Sequence, residues 1–190
     1  MSADSDKTDI VSARELIDFW FSERVAKFWF NSTPAFDDEL RAHFADTYAA
    51  ACRGELDDWQ TSAEGALALV ILFDQIPLNI YRGQSRSFAS EERARRVASQ
   101  AISRGLDQHL PGAQKAFMYL PYMHSENLED QETSVKLFTR AGLEKNLRFA
   151  HHHREIVRRF GRFPHRNAIL GRESTAEEVA WLESKDAFKG

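Results

Sequence analysis

Side chains capable of acid–base or ligand-binding chemistry are concentrated in four short polar stretches of a mostly apolar chain. These stretches combine carboxylates and histidines, which transfer protons in enzymes, with arginines, which bind carboxylates and phosphates through paired planar donors. The sequence has no glycine-rich phosphate loop, dinucleotide-binding fingerprint or GxSxG nucleophile motif. The four stretches are DQIPLNIYRG (74–83), MHSENLEDQ (123–131), HHHRE (151–155) and GRFPHRN (161–167).

The first stretch directly follows ALALVILF (66–73), whose apolar side chains fall on every side of a helix. We therefore expect this helix to lie at the centre of a helical bundle, with Asp74 at its end and shielded from bulk water. A buried carboxylate needs a cationic partner or several donors, because an isolated buried charge is costly. Pro77 lacks a backbone N–H, so it is predicted to end or kink the helix, with Asn79 and Arg82 serving the turn.

The stretch HHHRE belongs to a second predicted helix, over 144–160. Neighbouring side chains on a helix diverge by about 100°, so the three histidines cannot share one direction. Helical periodicity places His153 and Arg154 within a broad apolar face that also contains Phe149, whereas His152 lies on the polar side. His153 and Arg154 are therefore predicted to point inward.

Our first hypothesis is that the four stretches form an internal polar pocket that binds an anionic small molecule, with or without catalysis. Arginines would hold the anion, and a carboxylate paired with a histidine would transfer protons. The candidate catalytic residues are Asp74, Glu126, His153 and His165. The candidate ligand-binding residues are Asp74, Asn79, Arg82, His124, Glu126, His153, Arg154, Arg162, His165, Arg166 and Asn167.

A second hypothesis is a protein- or peptide-binding scaffold in which the same polar residues only lock helices together. A third is that the network chiefly fixes the register of the helices. In both, arginines would cap helix C-termini and neutralise Asp74 and Glu126. In the third hypothesis, Asp74→Asn would cost a few kcal/mol.

Composition excludes several classes of protein. The single cysteine of the 190 residues rules out an intrachain disulfide framework. No HExxH or comparable spacing occurs, so neither a metal nor another cofactor is expected. The net charge is −4, which argues against non-specific nucleic-acid binding. Residues 140–172 nevertheless hold nine Arg or Lys and two Glu, a local excess of positive charge that fits an anionic ligand or a solvated helix face.

The N-terminus, MSADSDKTD, is acidic and lacks the apolar core of a signal peptide. The longest apolar run, 66–73, is too short to span a bilayer. No membrane association is expected, and the predicted location is the cytoplasm.

Almost every segment is typical of a helix, and none shows a convincing strand alternation. Helix starts are predicted at Ser12, Pro34, Thr61, Ser90 and Ser174, three of them as capping boxes: Ser12–Glu15, Thr61–Glu64 and Ser174–Glu177. The prediction is an all-α single domain over 11–190, with about eight helices packed as antiparallel hairpins, preceded by a disordered tail over 1–10.

Three long motifs together resemble the bacterial "domain of unknown function 924" family, of the tetratricopeptide-like all-α superfamily. They are DQIPLNIYRG, YLPYMHSENLEDQ and HREIVRRFGRFPHRNAILGRES, accompanied by the aromatic DFWF (18–21) and WF (29–30). The resemblance covers about 14–182 and implies helix hairpins, without implying a reaction. The family often has Phe and Arg where this chain has Ile76 and Leu78, and this departure makes Leu78 a poor ligand candidate.

Overall fold

The computed structural model describes residues 9–185 and 187, which contain nine α-helices, short 3-10 turns and no strand. The predicted all-α single domain is confirmed. Residues 1–8 of the predicted tail lie outside the described residues. The helices are α1 (Ala13–Trp20), α2 (Glu23–Ala26), α3 (Pro34–Cys52), α4 (Ala63–Ile80), α5 (Glu91–Ser103), α6 (Gly112–Met123), α7 (Leu128–Arg140), α8 (Glu144–Phe160) and α9 (Ala176–Leu182).

Helix α4 is the central element of the fold, as its uniform apolarity predicts. It packs against α1, α3, α5 and α6, and its residues 65–77 are all buried. Among the described residues, α4 alone is long and apolar enough to cross a membrane by length and composition. In the structure 83% of its residues are buried, as is typical of the core helix of a folded domain.

Pro77 was predicted to end or kink α4. The helix does not end there, because it continues to Ile80 with Pro77 inside it. Pro77 cannot donate to the carbonyl of Phe73, its partner four residues earlier. The hydroxyl of Ser90 donates to that carbonyl instead, at 2.6 Å. A side chain from the start of α5 thus satisfies the backbone group that the proline leaves without its helical donor.

Of the three predicted capping boxes, the first forms as predicted at Ser12. The other two helices begin one residue later than predicted. The hydroxyl of Thr61 donates to the carbonyl of Asp58 within a 3-10 turn, so Ser62 caps α4. The last box forms between Thr175 and Glu178 rather than at Ser174.

Helix α8 packs mainly on α7, and to a smaller extent on α6. His153 is buried, as predicted, while Phe149 on the same apolar face is 56% exposed. A second, smaller apolar cluster joins α8 to the C-terminal part of the chain. Its buried members are Ile156, Val157, Phe163 and Trp181.

Candidate functional site

A cleft of about 950 Å³ opens where the C-terminal ends of α4 and α6 meet one face of α8. The rest of its wall comes from residues 29–32 and from eight residues after α4 and α8: Arg82, Gly83, Ser87, Phe88, Phe163, His165, Arg166 and Ile169. The contributing positions on α4 and α8 follow helical spacing, so each helix presents one continuous stripe to the cleft. Six of the predicted ligand-binding residues line it: Asn79, Arg82, His124, His153, His165 and Arg166.

At the inner end of the cleft, His124 is paired with Asp74. Asp74 is 1% exposed, and the Nδ1 of His124 donates to its Oδ1 at 2.8 Å. The amide of Gln75 donates to the other carboxylate oxygen at 2.5 Å. Asp74 was predicted to be buried and to need partners. Its partners are His124, which follows the end of α6, and Gln75, its neighbour in the chain. It lies behind the wall of the cleft, and His124 is the member of the pair that lines it.

The electrostatic surroundings of His124 favour its protonated form. Burial by itself lowers the pKa of His124, but the charge of Asp74 and the hydrogen bond to it outweigh burial, and the pKa is raised above its ordinary value. Within the described part of the chain, the ring of His124 makes its hydrogen bond through Nδ1. Because the carboxylate accepts from Nδ1, Nε2 is the nitrogen that gains or loses the titrating proton.

Next to this pair lies a second buried pair, Arg166 with Glu91 from the start of α5. The guanidinium nitrogens approach the Glu91 carboxylate at 3.0 and 3.1 Å. Arg166 is 5% exposed, and its guanidinium lies over the rings of Phe88 and Phe163, at 4.5 and 4.8 Å. Burial raises the pKa of Glu91, against the opposing pull of Arg166.

Two further histidines of the cleft are held neutral. Burial lowers the pKa of His153 to about 3, and burial with the nearby charge of Arg166 lowers that of His165 to about 4. The Nδ1 of His153 donates to the carbonyl of Phe149 at 2.8 Å. At neutral pH both rings are therefore uncharged. The pKa of His124, by contrast, is shifted upward.

The charged side chains that line the cleft are all basic: Arg82, Lys145 and Arg166, with no Asp or Glu among the described lining residues. Arg82 is held by the carboxylate of Asp37, at 2.7 and 3.1 Å. Lys145 is exposed and forms no ion pair within residues 9–185. This arrangement favours an anionic occupant over a cationic one.

Four predicted ligand-binding residues lie outside the cleft, in ion pairs or hydrogen bonds that join parts of the chain. Glu126, also a catalytic candidate, accepts from both Arg172 nitrogens and from the backbone N–H of Phe163. Arg162 and Asn167 bind Glu178 at the start of α9. Arg154 points toward Glu132 of α7 rather than into the cleft. The polar groups of these four residues join segments of the chain around α7, α8 and α9 and do not line the cleft.

The predictions missed Lys145 and the apolar part of the cleft wall. Lys145, Phe149 and His153 are spaced four residues apart, so one stripe of α8 carries all three. This four-residue spacing is visible in the sequence and could have identified Lys145 as a neighbour of His153 on the same stripe. Leu78, a poor candidate for binding charge, does line the cleft and contributes apolar surface. Among the described residues, no three His, Cys, Asp or Glu side chains are grouped to hold a metal ion.

The fold and the cleft define a helical single-domain protein with a basic, partly aromatic cleft and a buried Asp–His pair at its inner end. The family model described as "Bacterial protein of unknown function (DUF924)" matches residues 16–186, and the chain belongs to this family. The predicted family resemblance is thereby confirmed, while the tetratricopeptide-like superfamily stays a prediction.

A solved structure with the same fold is that of the protein of unknown function ATU0120 from Agrobacterium tumefaciens. It is 43% identical, covers 90% of this chain and 96% of its own, and superposes with a TM-score of 0.86. No curated protein matches the chain.

Proposed function

We propose that the cleft binds a small anionic molecule and that His124, oriented by Asp74, exchanges a proton with it. The observation that carries this proposal is the 2.8 Å contact between the buried Asp74 carboxylate and the Nδ1 of a histidine that lines the cleft. A carboxylate in this position fixes the tautomer and orientation of the ring and stabilises its cation. The remaining nitrogen can then act as a general base when neutral and as a general acid when protonated.

The preference for an anion rests on the charges of the cleft. Its lining includes Arg82, Lys145 and Arg166 and no carboxylate from the described residues. Arg82 and Arg166 are already paired, so their net field is reduced, whereas Lys145 is not neutralised by an ion pair. A carboxylate or phosphate bound near His124 would add to the field of Asp74 and raise the affinity of the ring for a proton.

The proposal predicts that anion binding takes up a proton at pH values where His124 of the free protein is at least partly neutral. Because the pKa of His124 is raised, binding is measured over a series of pH values from neutral upward. Isothermal titration calorimetry with phenyl phosphate and benzoate, in buffers of different ionisation enthalpy, measures this uptake directly. His124→Gln keeps an amide donor for Asp74 and should abolish the uptake, provided that circular dichroism shows the native helix content. Anion binding by the wild type without proton uptake at any pH of the series, or no binding of either anion, would overturn the proposal.

The contribution of the basic rim is tested by Lys145→Gln, with Lys136→Gln as its matched control. Both lysines are exposed residues of surface helices, but only Lys145 lines the cleft. We expect Lys145→Gln to weaken anion binding about twofold to fivefold, as removal of an exposed charge does, and the control to leave it unchanged. Equal effects of the two substitutions would indicate non-specific attraction to the basic region.

The same measurements separate this proposal from the peptide-binding scaffold. A scaffold would bind extended peptides through the cleft, with no need for a proton at His124. Peptide binding that is unaffected by His124→Gln, together with no binding of small anions, would support the scaffold and sink the acid–base proposal.

A further inference from the structure

The rim of the cleft carries two aromatic side chains that are unusually exposed. Phe30 is 75% exposed and Phe149 is 56% exposed, more than any other large apolar side chain in the described residues. Both line the same cleft, from the connector after α2 and from α8. Exposed apolar surface gathered at one concave site is typical of a binding surface.

The aromatic side of this rim is held in place before any ligand arrives. The ring of Phe30 stacks on that of Phe117, with centroids 6.2 Å apart and planes 6° from parallel. The ring of Trp29 lies against both, and its indole N–H donates to the backbone carbonyl of Trp20 at 2.9 Å. A surface fixed in this way loses little conformational entropy when it binds an apolar group.

Apolar side chains continue from the rim toward the inner end of the cleft. Leu78 of α4, Phe88 before α5 and Ile169 after α8 are half-buried members of the wall, and Met123 lies beside His124 in the chain. The cleft therefore joins an apolar wall to the polar end formed by His124 and Arg166. A purely polar anion would leave the apolar wall exposed to water. A neutral apolar ligand would make no ionic contact with the basic side chains.

This inference rests on the proposed function and concerns the class of ligand. We infer that the occupant is an amphiphilic anion, a carboxylate or phosphate monoester with an aromatic or medium-length alkyl body. Its charged head lies near His124 and Arg166, and its apolar body lies along the wall toward Phe30 and Phe149. The volume of about 950 Å³ is ample for a molecule of this kind.

The test is a series of straight-chain alkyl phosphates and carboxylates with two to eight carbons, measured by calorimetry below their critical micelle concentrations. Each methylene that becomes buried should tighten binding about fourfold, until the chain extends past the rim. Neutral alcohols of the same lengths should bind at least tenfold more weakly, because they lack the charged head.

Phe149→Ala should flatten the dependence on chain length, because it removes apolar surface along which the longer chains would lie. Val179→Ala on α9 is the matched control, since Val179 is also an exposed apolar side chain but does not line the cleft. Phe30→Ala is a second variant, which removes the other exposed aromatic ring of the rim. All three positions are exposed, so the native fold is expected and is checked by thermal unfolding.

These measurements test the amphiphilic ligand class separately from the proposed anion binding. Anion binding that is independent of chain length would overturn the amphiphilic class and leave the anion-binding function standing. Alcohols that bind as tightly as the anions would overturn the role of the charged head. Failure of every anion to bind would refute the proposed function itself, and the inference with it.

Discussion

His153 offers a direct test of the electrostatics of the cleft, because its burial makes the protein sensitive to acid. The side chain is 5% exposed, donates to the carbonyl of Phe149, and meets the ring of Phe163 edge-on at 5.5 Å. Burial lowers its pKa from 6.5 to about 3 in the folded protein. Between these two values the unfolded chain binds a proton that the folded protein does not, so lowering the pH favours unfolding.

The size of the effect follows from the two pKa values. One unit corresponds to about 1.4 kcal/mol, so at pH 5 the neutral His153 costs about 2 kcal/mol of folding free energy, against about 0.2 kcal/mol at pH 7. His165, whose pKa is lowered to about 4, acts in the same direction. His124 acts in the opposite direction, because its raised pKa gives stability that is present below pH 6.5 and is lost as the pH rises through the folded value.

The measurement is urea denaturation of the wild type and His153→Gln at pH 7 and pH 5, followed by circular dichroism. Glutamine keeps an N–H donor for the Phe149 carbonyl and cannot titrate. We expect the wild type to lose about 2 kcal/mol more than the variant between the two pH values. His151→Gln, an exposed neighbour on the same helix, is the control and should behave like the wild type. Equal losses in the wild type and His153→Gln would refute the argument that burial keeps this ring neutral.

Three further substitutions test the fold and the polar pairs. Asp74→Asn should lower the free energy of unfolding by about 3 kcal/mol in urea at pH 6, because it removes the charge that His124 faces in a buried pair; a loss below about 1 kcal/mol would contradict this. Gly65→Ala should cost about 2 kcal/mol or more, because its Cβ would lie 2.2 Å from the backbone carbonyl of Trp59, and an unchanged melting temperature would rule out that close contact. Glu126→Gln should cost about 1 kcal/mol, because it weakens the half-buried pair with an arginine; a melting temperature equal to the wild type's at low salt would show that the pair contributes nothing.

Features that depend on neighbours in the chain were predictable from the sequence. The uniform apolarity of 66–73 predicts the central position of α4 and the burial of Asp74, and both are observed. Helical periodicity likewise places His153 inside. These predictions succeed because the faces of a helix are set by a repeat of 3.6 residues, which is visible in the sequence.

Predictions from the local sequence failed where residues distant in the chain determined the structure. The predicted end of α4 at Pro77 does not occur: Ser90 donates to the carbonyl to which the proline cannot donate, and the helix runs on to Ile80. Phe149 belongs to an apolar face, yet it is exposed because that part of α8 borders the cleft. A helical wheel shows that a face is apolar, but it does not show whether another helix covers it.

The pairing of the charged residues was decided by the tertiary structure alone. The sequence indicated that Asp74 needs a partner and that basic residues are concentrated in 140–172. The partner of Asp74 is not one of these basic residues but His124, fifty positions further along the chain. Arg166 pairs with Glu91, and Glu126 pairs with Arg172. Burial makes a partner necessary because a lone charge in the core is costly, but the packing of α4, α5 and α6 selects which side chain comes within hydrogen-bonding distance.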